Sequence, residues 1–261
     1  MSYEVLPYKQ FGKHLLNTQE LDPIYVMLYN HGIGGADLKR WCLAYWCFYS
    51  AGVASAITEA GSAKFHDMMR KAQNKRWPRG AERRHFRGEA SNNAIKHLRK
   101  QGRAEDIVDR LLEDSTFQGV CNAAQQLPLF GPWISFKIAD MAEQVLGVPM
   151  DYSDCYLGIY KDPRQGAALI RYGDWKKDIS DQDLMNTVNK LIKEFKEYDA
   201  PPHYNRKVGI MEVETILCKY KSHYKGSYPL HKDSIEVYHG LEGWGQLAGE
   251  LQCHVPNQDQ L

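Results

Sequence analysis

The segment Leu127–Asp154, LPLFGPWISFKIADMAEQVLGVPMDYSD, decides how the rest of the chain is read. Pro128 cannot continue a helix, because it lacks an amide proton and its ring crowds the preceding turn. Gly131 supplies backbone freedom at the bend. Pro132 follows at a first helical position, where a missing N–H costs nothing. Ile134, Ile138, Met141, Ala142 and Val145 recur at helical spacing and predict an apolar face. Gly147 is the expected C-terminal cap. The segment therefore reads as a helix end, a tight turn, a second helix, and a loop carrying Asp151 eighteen residues after Trp133. Such a helix start directs N–H groups outward, where they suit a phosphate oxygen. An ordinary helix-turn-helix with a solvated Asp151 is the competing reading.

Upstream, Asp22-Pro23 marks a helix start. His31–Gly35 is Gly-rich, but no Gly-Lys-Ser/Thr follows, so it is no phosphate-binding P-loop. Asp37–Ala60 is apolar on nearly all sides and predicts one long central helix. Its Trp41, Tyr45, Trp46, Phe48 and Tyr49 read as core aromatics, with a base-stacking pocket as the alternative. Ser62 is expected to cap a helix to about Asn74. Composition then shifts: Arg70 to Lys100 holds eleven Lys or Arg against two acids. The centre is Arg76–Gly88, RWPRGAERRHFRG, where Pro, Gly and aromatics predict a structured loop. Planar guanidinium forks suit paired phosphate oxygens. A polyanion partner is the reading favoured here, against a merely solvated basic surface.

Further helices are expected over Ser91–Gln101 and Ala104–Glu113, and Ser115 is expected to cap the one entering the hairpin. After Asp151, Tyr152–Tyr160 reads as helical and Lys161–Trp175 as a loop, with Arg164 and Arg171 as further phosphate candidates. Ser180–Tyr198 is amphipathic, Gly209–Tyr220 helical, and Lys221–Leu261 carries one or two short helices. Lys137 and Asp140 read as a surface pair. His223, His231 and His239 fit no ligand spacing and read as structural histidines.

With 261 residues and 43% hydrophobic content, one domain over 1–261 is expected, with 1–20 a partly ordered extension and 200–261 a helical elaboration. Net charge is only +1, so any nucleic-acid surface must be local. No run has transmembrane length and no signal peptide is read, so a cytoplasmic location without membrane contact is expected. The six cysteines form neither a CxxC pair nor a tight four-cysteine cluster, and read as reduced, mostly buried thiols.

L-P-x-F-G-P-W-x-S followed by G-V-P-M-D resembles the hairpin and catalytic-aspartate segment of helix-hairpin-helix DNA glycosylases. The resemblance implies an all-α, helix-hairpin-helix glycosylase-like domain with additional helices, which everts a nucleotide beside the aspartate. Bifunctional members carry a lysine two residues after the hairpin glycine; Trp133 stands there instead, which argues against lyase chemistry. WPRGAERRHFRG, LAYWCFY, LPLFGPWISFKIADM and EVETILCKYKSH together are similar to the bacteriophage amino acid:DNA transferases, also named alpha-glutamyl/putrescinyl thymine pyrophosphorylases, over roughly Asp22–Tyr238. That resemblance implies a double-stranded DNA substrate bearing pyrophosphorylated 5-hydroxymethyluracil. A free amino acid or polyamine would displace the pyrophosphate, in the host cytoplasm, with no cofactor and no metal. Arg76, Arg79, Arg83, Arg84 and Arg87, with Gly131 and Trp133, are the expected pyrophosphate and DNA ligands. His85 would protonate the leaving oxygen, Asp151 would orient and deprotonate the amine, and Glu212 or Glu214 would bind it. A monofunctional DNA glycosylase and a non-catalytic helix-hairpin-helix DNA-binding protein are the alternatives.

Overall fold

The computed structural model describes residues 4–157 and 160–257. Among these residues are fourteen α-helices and no named β-strand, so the chain is all-α. They are α1 (Tyr8–Asn17), α2 (Pro23–His31), α3 (Gly35–Phe48), α4 (Ala51–Glu59), α5 (Gly61–Asn74), α6 (Gly88–Gln101), α7 (Ala104–Leu111), α8 (Phe117–Gln125), α9 (Pro132–Gln144), α10 (Lys161–Tyr172), α11 (Asp181–Glu194), α12 (Ile210–Tyr224), α13 (Lys232–Leu241) and α14 (Gln246–Gln252). The chain divides into two compact units, one of residues 1–26, 155–236 and 256–261, the other of 27–154 and 237–255.

The second of these units is built round α3, which packs against α4, α5, α7 and α9. Trp41, Trp46 and Phe48 are fully buried, as their apolar surroundings predict. Their polar atoms are answered: Trp41 Nε1 donates to Ser55 Oγ at 3.0 Å, and Trp46 Nε1 meets Met141 Sδ at 3.1 Å. The expected single helix 37–60 is instead two. Tyr49 takes a left-handed conformation, φ 50°, and ends α3. The carbonyls that the break releases are taken up elsewhere, because the Gly80 amide donates to Phe48 O at 3.0 Å and Tyr49 O at 3.1 Å. α9 is buried nearly all round rather than on one face. Lys137 and Asp140 do pair, at 2.8 Å, but both are buried, so the expected surface pair is an internal one.

In the other unit α12 packs against α1, α10 and α11. Residues 161–172, expected as loop, form α10. Pro163 falls in its first turn, where proline is tolerated. Gly166 lies directly against the Leu217 backbone, so the two helices cross at a point where no Cβ fits. The expected helix 152–160 is absent over 152–156; positions 158 and 159 lie outside the described residues. The N-terminal extension is not loose either. α1 buries Phe11, Leu15 and Leu16, and the Phe11 ring stacks on His223 at 4.4 Å.

Candidate active site

The hairpin and the arginine loop meet at the end of α3. The left-handed residue of the hairpin is Leu129, φ 68°, rather than Gly131, and its side chain is exposed at the tip. Gly131 is extended, caps α9 and precedes Pro132 at the first helical turn. No protein atom lies near where a Gly131 Cβ would stand, so the surface there is open to an approaching ligand. Trp133 is half-buried and meets the Tyr49 ring edge-on at 5.0 Å. Tyr49 continues the Trp41–Tyr45 stack, with Tyr45 and Tyr49 centroids 4.6 Å apart.

Residues 76–87 form the expected structured loop, with a short 3-10 turn at Ala81–Arg83. Trp77 packs against Trp244 at 5.1 Å. Gly80 is required because a Cβ would come within 2.8 Å of the Tyr49 carbonyl oxygen. Arg83 is only 6% exposed. Its Nε donates to Cys47 O at 3.2 Å and its Nη1 to Leu129 O at 2.8 Å, while the rings of Phe86 and Phe130 lie 5.0 and 5.1 Å from the guanidinium carbon. Arg83 thus ties the loop to both α3 and the hairpin. Burial pulls its pKa below the ordinary arginine value. Arg79 is half-buried and donates to Gln73 Oε1, Trp77 O and Phe86 O. Burial, and then the neighbouring Arg87 charge, lower its pKa. Arg76, Arg84, His85 and Arg87 are exposed.

None of these five arginines has a carboxylate partner among the described residues. Elsewhere Arg40, Arg70, Arg99, Arg103, Arg164, Arg171 and Arg206 are each ion-paired. Arg164 and Arg171, expected as possible phosphate ligands, hold Asp181 and Asp183 within their own unit.

Asp151 is exposed and sits at the start of α8. Its backbone pairs with the segment before that helix: Asp151 N donates to Ser115 O, and Phe117 N donates to Asp151 O, both at 2.9 Å. The cap of α8 is Thr116, one residue past the expected Ser115, with Thr116 Oγ1 accepting from Gly119 N at 3.0 Å. The neighbouring Tyr152 is anchored by its hydroxyl, which donates to Ala139 O on α9 at 3.2 Å. Asp151 Oδ1 accepts the Ser153 amide proton at 2.8 Å. That backbone bond, then one from the Ser153 hydroxyl, holds the carboxyl below the usual aspartate range, so it is ionised at neutral pH. α8 has nine residues, so its axis places the hairpin roughly 13 Å from the Asp151 end.

The two carboxylates expected on α12 differ. Glu212 is 5% exposed, accepts the Gly209 amide at 2.7 Å and holds Arg206 through two bonds of 2.9 and 3.0 Å. It caps its own helix. Glu214 is half-buried and touches Thr215 Oγ1 at 3.5 Å. His223 is satisfied at both ring nitrogens, accepting from Leu6 N at 3.0 Å and meeting Tyr228 O at 2.8 Å. His239 pairs with Glu242 at the surface. All six cysteines are free thiols, four of them buried, and burial pushes Cys47 up to about 12 and Cys121 up to about 11. Sequence reading named Tyr49 among the core aromatics but not as the break that ends α3, placed Gly80 in the loop without its contact to Tyr49, and missed the Arg206–Glu212 pair.

No helix among the described residues is long and apolar enough to cross a membrane. Residues 5–228 match the family described as amino acid:DNA transferase. A glycinyltransferase of Pseudomonas phage PaMx11 is 39% identical, the alignment covering 97% of this chain and 96% of that protein. A putrescinyltransferase of Delftia phage PhiW-14 is 25% identical, over 94% of this chain and 82% of its own length. With its arginine run, its hairpin and the match along most of its length, the chain belongs to the amino acid:DNA transferase family and is a transferase of DNA modification.

Proposed function

We propose that the protein joins an amine to the exocyclic methylene of pyrophosphorylated 5-hydroxymethyluracil in DNA, releasing pyrophosphate, on a helix-hairpin-helix glycosylase-like scaffold. Glycine is the first amine to test, because the 39% identical relative is named a glycinyltransferase; putrescine is the second. In the reaction the methylene C–O bond breaks and its electron pair leaves with the diphosphate. The amine lone pair forms the C–N bond, and its surplus proton passes to Asp151. The glycosidic bond stays intact.

The observation that carries this reading is the run of arginines without carboxylate partners. Positive charge left unneutralised stabilises a leaving diphosphate as its own charge grows. Arg76, Arg79, Arg84 and Arg87 supply that charge, and His85 protonates the leaving oxygen. Arg83 holds the loop against the hairpin. Gly131 and Trp133, at the start of α9, receive a DNA phosphate on outward N–H groups. The amine attacks in its neutral form; the ionised Asp151 orients its N–H groups and takes the one surplus proton as the C–N bond forms.

The test mixes protein, pyrophosphorylated hydroxymethyluracil DNA and a panel of amines, with nucleosides read by mass spectrometry. A heavier nucleoside and free pyrophosphate are expected. Free base and abasic sites would instead mark a glycosylase. Asp151→Asn should lower transfer by about 10²- to 10⁴-fold, the usual worth of a proton acceptor, with DNA binding retained. Unchanged transfer in that variant would remove Asp151 from the chemistry.

A further inference from the structure

His14, Glu20 and His231 converge in the unit that contains α1 and α12, although up to 217 positions separate them in sequence. One ligand-capable atom of each lies within 4.8 Å of the others. Glu20 is 1% exposed, and so is a buried carboxylate with two histidines against it. His231 Nδ1 stands 2.9 Å from Oε1, and His14 Nε2 stands 3.5 Å from Oε2.

The His14 nitrogen is the telling atom. It is closed off from solvent, yet makes no hydrogen bond among the described residues. A buried ring nitrogen answered only by a long contact to Glu20 recovers little of the bond to water that burial takes from it. Its 3.5 Å from Oε2 is the outer edge of a hydrogen bond. It is close to the separation of two ligand atoms round a tetrahedral zinc, about 3.3 Å for metal–ligand bonds of 2.0–2.1 Å.

The surroundings support the carboxylate as an oriented ligand. Ser234 Oγ donates to Oε1 at 3.0 Å and the His231 amide donates to Oε2 at 3.2 Å. Such outer bonds fix the orientation of metal-binding carboxylates. Two imidazole nitrogens and one carboxylate are a set suited to first-row transition metals, zinc foremost, with one position open to water. The sequence pattern concealed the set, because its members are local to no motif and His223, eight residues before His231, is occupied at both nitrogens.

We propose that His14 Nε2, His231 Nδ1 and the Glu20 carboxylate bind one divalent transition-metal ion, which fastens the end of α1 to the segment leading into α13.

The full chain, stripped with chelator and carrying Cys253→Ser to remove the exposed thiol, is titrated with Zn²⁺ by calorimetry and assayed for bound zinc. One equivalent is expected, together with a rise in unfolding temperature, since a ligand that binds only the folded form stabilises it. His14→Gln removes a ligand while leaving the Ser234 and His231 bonds to Glu20 in place; it should lose at least tenfold in zinc affinity and abolish the thermal shift. Cobalt should give the visible absorption of a low-coordinate nitrogen–oxygen site in the parent and not in His14→Gln. Glu20→Gln is the second ligand variant, with circular dichroism as its folding control. Absence of zinc binding by the parent would overturn the proposal, and so would an unchanged equivalent in His14→Gln. Either result would leave the cluster as a hydrogen-bonded cage round a buried carboxylate.

Discussion

The arginine loop and the start of α12 both hold arginine at a chain turn, and they treat its charge in opposite ways. At α12, Arg206 meets Glu212 through two bonds, and the same carboxylate caps the helix. Charge there is cancelled on the spot, and the helix start is closed. In the loop 76–87 the buried guanidiniums are answered by carbonyls, which orient them without cancelling their charge. Arginine bound to carboxylate is a fastening. Arginine bound only to carbonyl oxygens remains a source of field, and the exposed Arg76, Arg84 and Arg87 add to it.

The sharpest way to break this contrast is at Arg83. Arg83→Met keeps much of the side-chain bulk between Phe86 and Phe130 but strands the Cys47 and Leu129 carbonyls. Each stranded acceptor costs about 1–3 kcal/mol, offset in part because no guanidinium need be desolvated. A net loss of about 2–4 kcal/mol is expected, read as a clear fall in unfolding temperature, with weaker DNA binding as the hairpin loosens. An unchanged melting curve would show that the loop is held by something else.

Glu212→Gln tests the opposite case. It removes the ion pair and weakens the cap, with an expected loss of about 1–2 kcal/mol. DNA affinity should not respond; a large drop there would mean that Glu212 contributes to binding as well as to its own helix. Arg87→Gln should have a smaller effect still, a several-fold loss of DNA affinity with the melting temperature unmoved.

Titration sharpens the picture at Asp151. Its folded pKa is lowered by the Ser153 amide, so the carboxylate stays charged as pH falls and protonates only below its usual 3.8. NMR titration of the Asp151 carboxyl carbon should give a midpoint under that value. A midpoint above it would contradict the bonded geometry of Asp151 and Ser153.

Much of the hairpin was legible because its signals are local. Pro132 at the first turn and Gly147 at φ 68° behave as their residue types dictate. Ser180 likewise caps α11, accepting from Asp183 N at 3.1 Å. What escaped depended on partners distant in sequence. The break at Tyr49 has neither Gly nor Pro to mark it, and rests on the Gly80 amide arriving from the loop. α10 was hidden because Pro163 and Gly166 look like loop residues until Leu217 is packed against them. α1 is short and polar in overall composition, which hid the single face on which Phe11, Leu15 and Leu16 are buried. For the candidate site, five arginines in one run are alike in sequence. That Arg83 turns inward is set by carbonyls at 47 and 129, which no spacing rule exposes.

The measurement that tests the central claim most directly is the salt dependence of DNA binding. Wild type is compared with the triple variant Arg76→Gln, Arg84→Gln, Arg87→Gln. Each phosphate-binding arginine removed should flatten the plot of log affinity against log salt by about 1. The triple variant is therefore expected to bind more weakly at low salt with a slope shallower by about 3, while its melting temperature stays that of wild type. An unchanged slope would contradict the account, because the loop's uncancelled charge would then serve no polyanion.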